Sequence, residues 1–400
     1  MTQFKYQCTE CHREFQRDDV TYLCPDCSKT YAPGMPLRGV LQALFDYDYV
    51  RAHFNPHAPD WDLFSAVEQQ FYPEFPVGNT PFFQSTRLGG QLGFTNLRLK
   101  NDGLNPSGSL KDRASFLIVA EAIRKGIDTI VTASTGNAAS ALAAVCAAAG
   151  KQAVIFVPES APKPKLVQIM LSGARIIPVK GTYDDAFRLS LEYTNAKGGL
   201  NRNTAYHPLT IEGKKTVGLE IFQQNGLRAP DVILVPVGDG VIISGVYKAF
   251  YDLHQAGLIQ KLPKLICVQA EASNAIHRYI TTGIYANAAH PATIADSISV
   301  AIPSNAHMAR RAVNNTGGFS LTVSDAEILD AQALLASITG IFAEPSAAAT
   351  VAGLLKCKQE QLLKADAQIV LLITGHGLKD VDAPMGGMTL PEAVLSIDEC

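Results

Sequence analysis

Several absences narrow the reading of this sequence at once. No run of about eighteen apolar residues occurs, and the longest candidate, residues 138–149, is alanine-rich and too short to cross a bilayer. Net charge is only −3, so no overall positive field exists to attract nucleic acid or an anionic membrane. Residues 1–8 lack the basic-then-apolar order of a secretion signal. There is no internal repeat and no low-complexity tract. The nine histidines are scattered without zincin spacing. No Ser-His-Asp order or paired-carboxylate motif stands out. The eight cysteines do not have the spacing of a disulfide framework: four fall within the first 27 residues, and Cys146, Cys267, Cys357 and Cys400 stand apart. That usage predicts a cytoplasmic protein with no nucleic-acid partner and no membrane contact.

What is present describes a well-packed chain, 47% apolar and 18% charged. At 400 residues it is too long for one small core, so about two or three domains are expected. The first is a small unit over residues 1–35. Cys8-x-x-Cys11 and Cys24-x-x-Cys27 each set two thiolates on a tight turn, with twelve residues between the inner cysteines. Two such turns give four sulfurs at tetrahedral reach, which suits a structural zinc ribbon. A unit this small lacks the core to fold alone, and metal would supply the difference. Four thiolates close the coordination shell, so the metal is not expected to be catalytic; His12, next to Cys11, stays outside it. Four free thiols are the alternative.

Beyond this unit, residues 36–98 are rich in proline and aromatics, with short helices expected over 47–54 and 61–71. From residue 111 onward apolar strands alternate with helices. Strands are expected at 129–133, 153–157 and 174–179, then at 231–237, 265–270 and 369–373. Two such series predict an α/β protein with two doubly wound open-sheet domains, a cleft between them, and the zinc ribbon in front.

Four loops of this pattern carry chemistry. The loop Asn105 to Arg113 delivers Lys111 to the start of a helix, where the dipole disfavours a cation. Such a lysine is relieved as a neutral amine or as a Schiff base with a carbonyl cofactor. Ser134, Thr135, Gly136 and Asn137 open the next helix with hydroxyls and unpaired amides, which suit a carboxylate or serve as a plain N-cap. Gly238, Asp239, Gly240, Val241 and Ile242 lead from a strand to a helix that also carries Ser244. This is a phosphate cradle of backbone amides, or a glycine turn kept for packing. Thr374 ends a buried strand before Gly375-His376-Gly377, where its hydroxyl can meet a heteroaromatic nitrogen. Glu344-Pro345-Ser346 opens a helix and fits either cleft lining or capping.

In combination these motifs resemble threonine synthase, a family of pyridoxal-phosphate enzymes with the tryptophan-synthase-β fold. The resemblance covers nearly the whole chain, and some members carry a four-cysteine N-terminus. It implies that Lys111 holds the cofactor aldehyde in a Schiff base and acts as the catalytic base. Asn137 would bond the ring oxygen, Gly238 to Ser244 would hold the cofactor phosphate, Thr374 would face the ring nitrogen, and Ser134 to Asn137 would hold the substrate carboxylate. It further implies a small mobile domain over 99–211, a large cofactor-binding domain over 36–98 plus 212–400, a small amino-acid substrate and a homodimer. The implied reaction converts O-phospho-L-homoserine and water to L-threonine and phosphate. An alternative is β-elimination or β-replacement on an unphosphorylated amino acid, and a third reading is a non-catalytic sensor. Two positions depart from the family pattern. Thr210 stands where an arginine that greets the substrate phosphate is usual, and the cofactor loop has Asp239 where asparagine is usual. Lys163, Lys165 and Lys214 are either substitutes for that arginine or surface charges.

Overall fold

Continuous Val, Ile and Leu runs make strands buried on both faces, and here they sort into two parallel sheets. The computed structural model describes residues 4–161 and 163–386, without the side chains of 164 and 165. Cys400 and most of the expected surface tail after Lys379 lie outside the described residues. The strands are β1 (Phe4–Cys8), β2 (Glu14–Gln16), β3 (Leu41–Phe45), β4 (Phe82–Gln84), β5 (Asn96–Asn101), β6 (Thr129–Ala133) and β7 (Gln152–Pro158). They continue as β8 (Arg175–Val179), β9 (Leu200–Asn201), β10 (Val232–Pro236), β11 (Lys264–Ala270), β12 (Phe319–Val323) and β13 (Gln368–Ile373).

The large sheet has the order β12-β11-β10-β13-β5-β4, parallel except for β4. The small sheet has the order β8-β7-β6-β9 and is parallel throughout. This is the expected α/β class with two open sheets. The expected domain boundary at residue 99 falls inside β5, which belongs entirely to the large sheet. A third, antiparallel sheet, β2-β1-β3, holds the N-terminal unit. Its strand β1 pairs along its whole length with β3, from Phe4 opposite Phe45 to Cys8 opposite Leu41. The cysteine unit therefore draws on residues beyond 35.

Two local expectations change. The helix expected over 61–71 is a pair of single 3-10 turns, Trp61–Phe64 and Gln69–Phe71. Between them the Ser65 hydroxyl bonds to Val67 O and Tyr72 Oη, local bonds that compete with a helix. Strand β12 had no expectation: it is an edge strand whose Ser320 and Thr322 interrupt the apolar run.

Two helices join the sheets. Lys111–Arg124 runs from β5 toward β6, and Leu209–Gln224 runs from β9 toward β10. They touch at Gly213, where an added Cβ would collide with Arg113 O and Ala114 Cα. Beside this contact lies a buried ionic network. Arg113 donates to Asp102 at 2.6 and 2.9 Å and to Glu220 at 2.7 and 2.8 Å. Lys100 adds a bond to Glu220 at 2.6 Å. Burial would raise the Glu220 carboxyl, but the Arg113 and Lys100 charges outweigh it and hold it at about 2. Arg113→Ala strips the buried Asp102 carboxylate of its counter-charge, leaves Glu220 to Lys100 alone, and is expected to lower unfolding free energy by about 3–5 kcal/mol, read by urea titration. A carboxyl depressed below its unfolded value contributes stability above the unfolded pKa, lost as pH falls through the folded one. Glu220→Gln should therefore flatten the fall of melting temperature between about pH 4.5 and pH 2.

Candidate active site

Strands β10, β13 and β5 are neighbours and run parallel, so their C-terminal ends share one edge of the large sheet. Open α/β sheets take ligands at that edge. There β10 leads into Gly238–Ser244, β13 into Thr374–Lys379, and β5 into the loop that ends at Lys111. Three of the four motifs thus stand side by side. The fourth, Ser134 to Asn137, leaves the C-terminal end of β6 in the small sheet.

The lysine loop is held by its backbone. Leu110 N–H donates to Thr374 O at 2.9 Å and His376 N–H to Gly108 O at 3.0 Å, while Ser109 and Gly375 form an antiparallel bridge. Gly108 turns the loop with φ +87°, a conformation that favours glycine. Asp112 closes the loop onto the helix start by accepting from Ser107 N–H at 2.7 Å and from the Ser107 hydroxyl. A carboxylate suits a helix N-terminus, but burial still pushes this one up to about 6 against those bonds. Lys111 opens the Lys111–Arg124 helix and is half-buried.

Asn137, almost fully buried, reaches across to the large sheet. Its Nδ2 donates to Glu344 Oε2 at 2.8 Å and to Ser297 Oγ at 3.0 Å. Glu344 resolves the choice left by the sequence. It occupies the N-cap position of the Pro345–Gln359 helix, yet its side chain caps nothing and is buried with Oε1 unpartnered. Burial raises this carboxyl, opposed by the Lys111 charge, the Asn137 bond and the Lys379 charge. Gly375 is required here, because a Cβ on it would collide with the Glu344 carboxyl.

Around these groups lies a cavity of about 440 Å³. Thr135, Gly136, Asn137 and Gln168 line it from the small-sheet side, and Ser297, Glu344 and Lys379 from the large-sheet side. Lys379 Nζ donates to Ser140 Oγ at 2.9 Å and to Gln168 Oε1 at 2.5 Å. Ser134 and Thr135 do not cap the following helix; Gly136 is its N-cap residue, and Ser134 Oγ accepts from Gly136 N–H at 3.2 Å. Lys111, Thr374 and Gly238 to Ser244 are not among the lining residues, and Lys111 connects to the cavity through its charge on Glu344.

The Gly238–Ser244 turn is narrower than the sequence suggests. Asp239 Oδ1 takes the Val241 N–H at 2.9 Å, and Ser244 Oγ donates to Gly240 O at 2.7 Å. Gly240 has φ +87°, and its missing Cβ leaves room for Asn305 O. The amides of Ile242 and Ile243 remain in the first helical turn, where no carbonyl of the same helix can reach them. Of the three lysines in question, Lys163 is exposed and Lys214 is fully buried, so Lys214 is not a surface charge; the Lys165 side chain lies outside the described residues. Thr210 is buried and occupied locally, donating to His207 O at 2.8 Å and accepting from Ala205 N–H at 3.1 Å.

At the N-terminus the sulfurs of Cys8, Cys11, Cys24 and Cys27 all lie within 4.8 Å of one another. The Cys8–Cys27 and Cys11–Cys24 pairs stand at 3.8 Å. A tetrahedron with zinc–sulfur bonds of about 2.3 Å has edges of about 3.8 Å. The donor set therefore fits a tetrathiolate zinc centre.

Sequence reading missed Ser297, Gln168 and Arg202, none of which sits in a turn with a chemical signature of its own, and gave Lys379, inside the Thr374 turn, no role. Glu344 offered one signal, an acidic residue directly before a helix-opening proline.

A family model described as "Pyridoxal-phosphate dependent enzyme" matches residues 74–375. The fold is that of this class, and the chain is a pyridoxal-phosphate-dependent enzyme. Within that class the chain belongs to the threonine synthase family. It is 34% identical over 392 residues to the threonine synthase of Methanocaldococcus jannaschii, covering 94% of this chain and 93% of that protein. It is also 34% identical over 334 residues to the threonine synthase of Mycobacterium bovis, covering 83% and 88%. Among solved structures, the processed form of threonine deaminase isoform 2 from Solanum lycopersicum shares the fold. It superposes with a TM-score of 0.67 at 22% identity, covering 78% of this chain and 91% of that one. Maize serine racemase gives 0.66 at 25%, covering 76% and 89%.

Asn137→Leu should leave the buried Glu344 carboxyl short of a donor. Urea unfolding of the cofactor-free variant is expected to show a loss of about 1–3 kcal/mol.

Proposed function

We propose that this chain is a threonine synthase, converting O-phospho-L-homoserine and water to L-threonine and phosphate. The observation that carries this reading is the meeting of Lys111, Thr374 and the Gly238–Ser244 turn on one sheet edge, with Asn137 and Glu344 facing them. Its support from relatives is the match along 94% of the chain to a protein named threonine synthase.

Lys111 would hold the cofactor, which when bound supplies an electron sink for the bond electrons released at the substrate Cα. The residues of the chain do the rest. The substrate carries its oxygen on Cγ and threonine on Cβ, so phosphate leaves Cγ, the oxygen of water arrives at Cβ, Cβ gives up one proton and Cγ gains one, and the proton taken from Cα is returned to it. Lys111, at the start of its helix and beside the cavity, would carry out that transfer with its side-chain amine. The Ser134 to Asn137 loop binds the substrate carboxylate with hydroxyls and helix-start amides. Gly238, Asp239, Gly240, Val241, Ile242 and Ser244 shape the turn for the cofactor phosphate, with the Ile242 and Ile243 amides as donors. Thr374 would face the ring nitrogen. A neutral hydroxyl there withdraws less charge than a carboxylate. Asn137, which donates to Glu344, would donate to the ring oxygen as well.

Thr210 favours a second reading. Its hydroxyl is spent on His207 and Ala205, and it offers no guanidinium to a substrate phosphate. On this reading an unphosphorylated amino acid undergoes β-elimination or β-replacement. The two readings separate in one assay. Phosphate release from O-phospho-L-homoserine, lost on Lys111→Ala, supports the first; keto acid or ammonia from serine, threonine or diaminopropionate, with no phosphate release, replaces it. Borohydride reduction should label Lys111 in either case.

The same proposal includes zinc at Cys8, Cys11, Cys24 and Cys27, a cytoplasmic setting consistent with free cysteines, and a homodimer in solution. One zinc per chain is expected by metal analysis. Cys11→Ser should lose it and lower the melting temperature while leaving cofactor absorbance in place. Sedimentation tests the dimer.

A further inference from the structure

Six large cationic side chains are fully buried among the described residues: Arg113, Lys100, Lys215, Lys248, Arg202 and Lys214. A buried charge is costly unless it is paired. Arg113 pairs with Asp102 and Glu220, Lys100 with Glu220, and Lys215 and Lys248 with Asp252. Arg202 and Lys214 are the two that make no ion pair among the described residues. Arg202 follows β9 at the C-terminal edge of the small sheet. Its Nε and Nη1 reach only the hydroxyls of Ser115 at 3.2 Å and Thr204 at 3.1 Å, and its Nη2 is buried without a partner.

Lys214 is held between two helix contacts. On one side Gly213 packs against Arg113 and Ala114 at the start of the Lys111 helix. On the other, Gly245 of the Val241–Gln255 helix approaches Lys214 so closely that an added Cβ would lie 2.8 Å from its Cβ. The lysine thus stands between the helix that begins with Lys111 and the helix whose first turn carries the Ile242 and Ile243 amides.

We propose that Arg202 and Lys214 form a two-cation subsite for a phosphate monoester dianion, beside Lys111 and the Ile242–Ile243 amides. The charge surroundings agree. Burial pushes Lys214 down to about 7, with Asp239 opposing and Lys111 and Arg202 adding to the depression. Burial likewise brings Arg202 down to about 10, opposed by Asp239, Tyr183 and Asp112. Asp239, the first opposing charge on both, already gives Oδ1 to Val241 N–H. A dianion brought between these groups would meet the Arg202 guanidinium, the Lys214 amine, which its charge would hold protonated, and two amides. The subsite also supplies what Thr210 does not, a fixed positive charge for a phosphate. This inference rests on the threonine synthase reading only for which phosphate arrives: that of the cofactor or that of the substrate.

The test uses full-length protein and two variants, Lys214→Met and Arg202→Gln, each checked for an unchanged melting temperature and far-ultraviolet spectrum. Calorimetry measures inorganic phosphate binding to the holoenzyme. Fluorescence titration of the cofactor-free protein measures pyridoxal phosphate against pyridoxal, which lacks the phosphate. If the subsite takes the cofactor phosphate, pyridoxal phosphate binding weakens at least tenfold and pyridoxal binding stays unchanged. If it takes the substrate phosphate, inorganic phosphate binding to the holoenzyme weakens at least tenfold with cofactor affinity intact. Constants within twofold of wild type for both ligands, in whichever variant folds, overturn the proposal. Neither readout needs turnover. A protein inactive on O-phospho-L-homoserine would sink the threonine synthase reading and leave the subsite standing.

Discussion

Everything at this site depends on a short stretch of backbone pairing. The lysine loop and the residues after β13 exchange amide–carbonyl bonds across Gly108, Ser109 and Leu110 on one side and Thr374, Gly375 and His376 on the other. Backbone bonds fix position without depending on side-chain rotamers. They join segments more than 260 residues apart in sequence into one rigid platform. Glycine is what permits it. Gly108 takes the turn, and Gly375 makes room for the Glu344 carboxyl beneath the platform. The Asp102–Arg113–Glu220 network then clamps the helix that follows, so Lys111 leaves the platform in a determined direction.

Electrostatics divides the site in two. On the cavity side a buried acid, Glu344, is held by neutral donors and has an unpartnered oxygen. Burial raises this carboxyl, and the Lys111 and Lys379 charges oppose that rise. On the sheet-edge side stand Lys214 and Arg202, cations short of counter-charge. Lys111 acts electrostatically on both Glu344 and Lys214, which places it at the border between an acidic and a basic environment.

The sequence made some of this legible and not the rest, for identifiable reasons. Strands β6, β7, β10, β11 and β13 announce themselves because burial on both faces forces near-continuous apolar runs. Strand β12 does not, because an edge strand tolerates Ser320 and Thr322. The loops around Lys111, Asn137, Gly238 and Thr374 were visible because turns at strand ends demand glycine, proline and small hydroxyls in short order. Ser297 and Arg202 are hidden by the same logic in reverse, and Glu344, Lys379 and Lys214 are legible only as residues with their surroundings left open. Each sits where its residue type is ordinarily exposed, and only tertiary packing reveals its surroundings. Lys214 is the sharpest case: its neighbours Gly213 and Lys215 gave no hint that two helices would close over it. The cysteine unit was read correctly as to its four sulfurs, but its third strand, β3, lies outside the cysteine spacing and carries no motif.

The two helices joined at Gly213 have a mechanical meaning. The chain passes between the large and small sheets twice, once through Lys111–Arg124 and once through Leu209–Gln224, and both passages cross at one point. Gly213 is not their sole contact, since Arg113 of the first helix also donates to Thr216 and Glu220 of the second, but there the backbones come too close to admit a Cβ. Both crossings between the sheets therefore share one seam, and a side chain added at 213 would part them together.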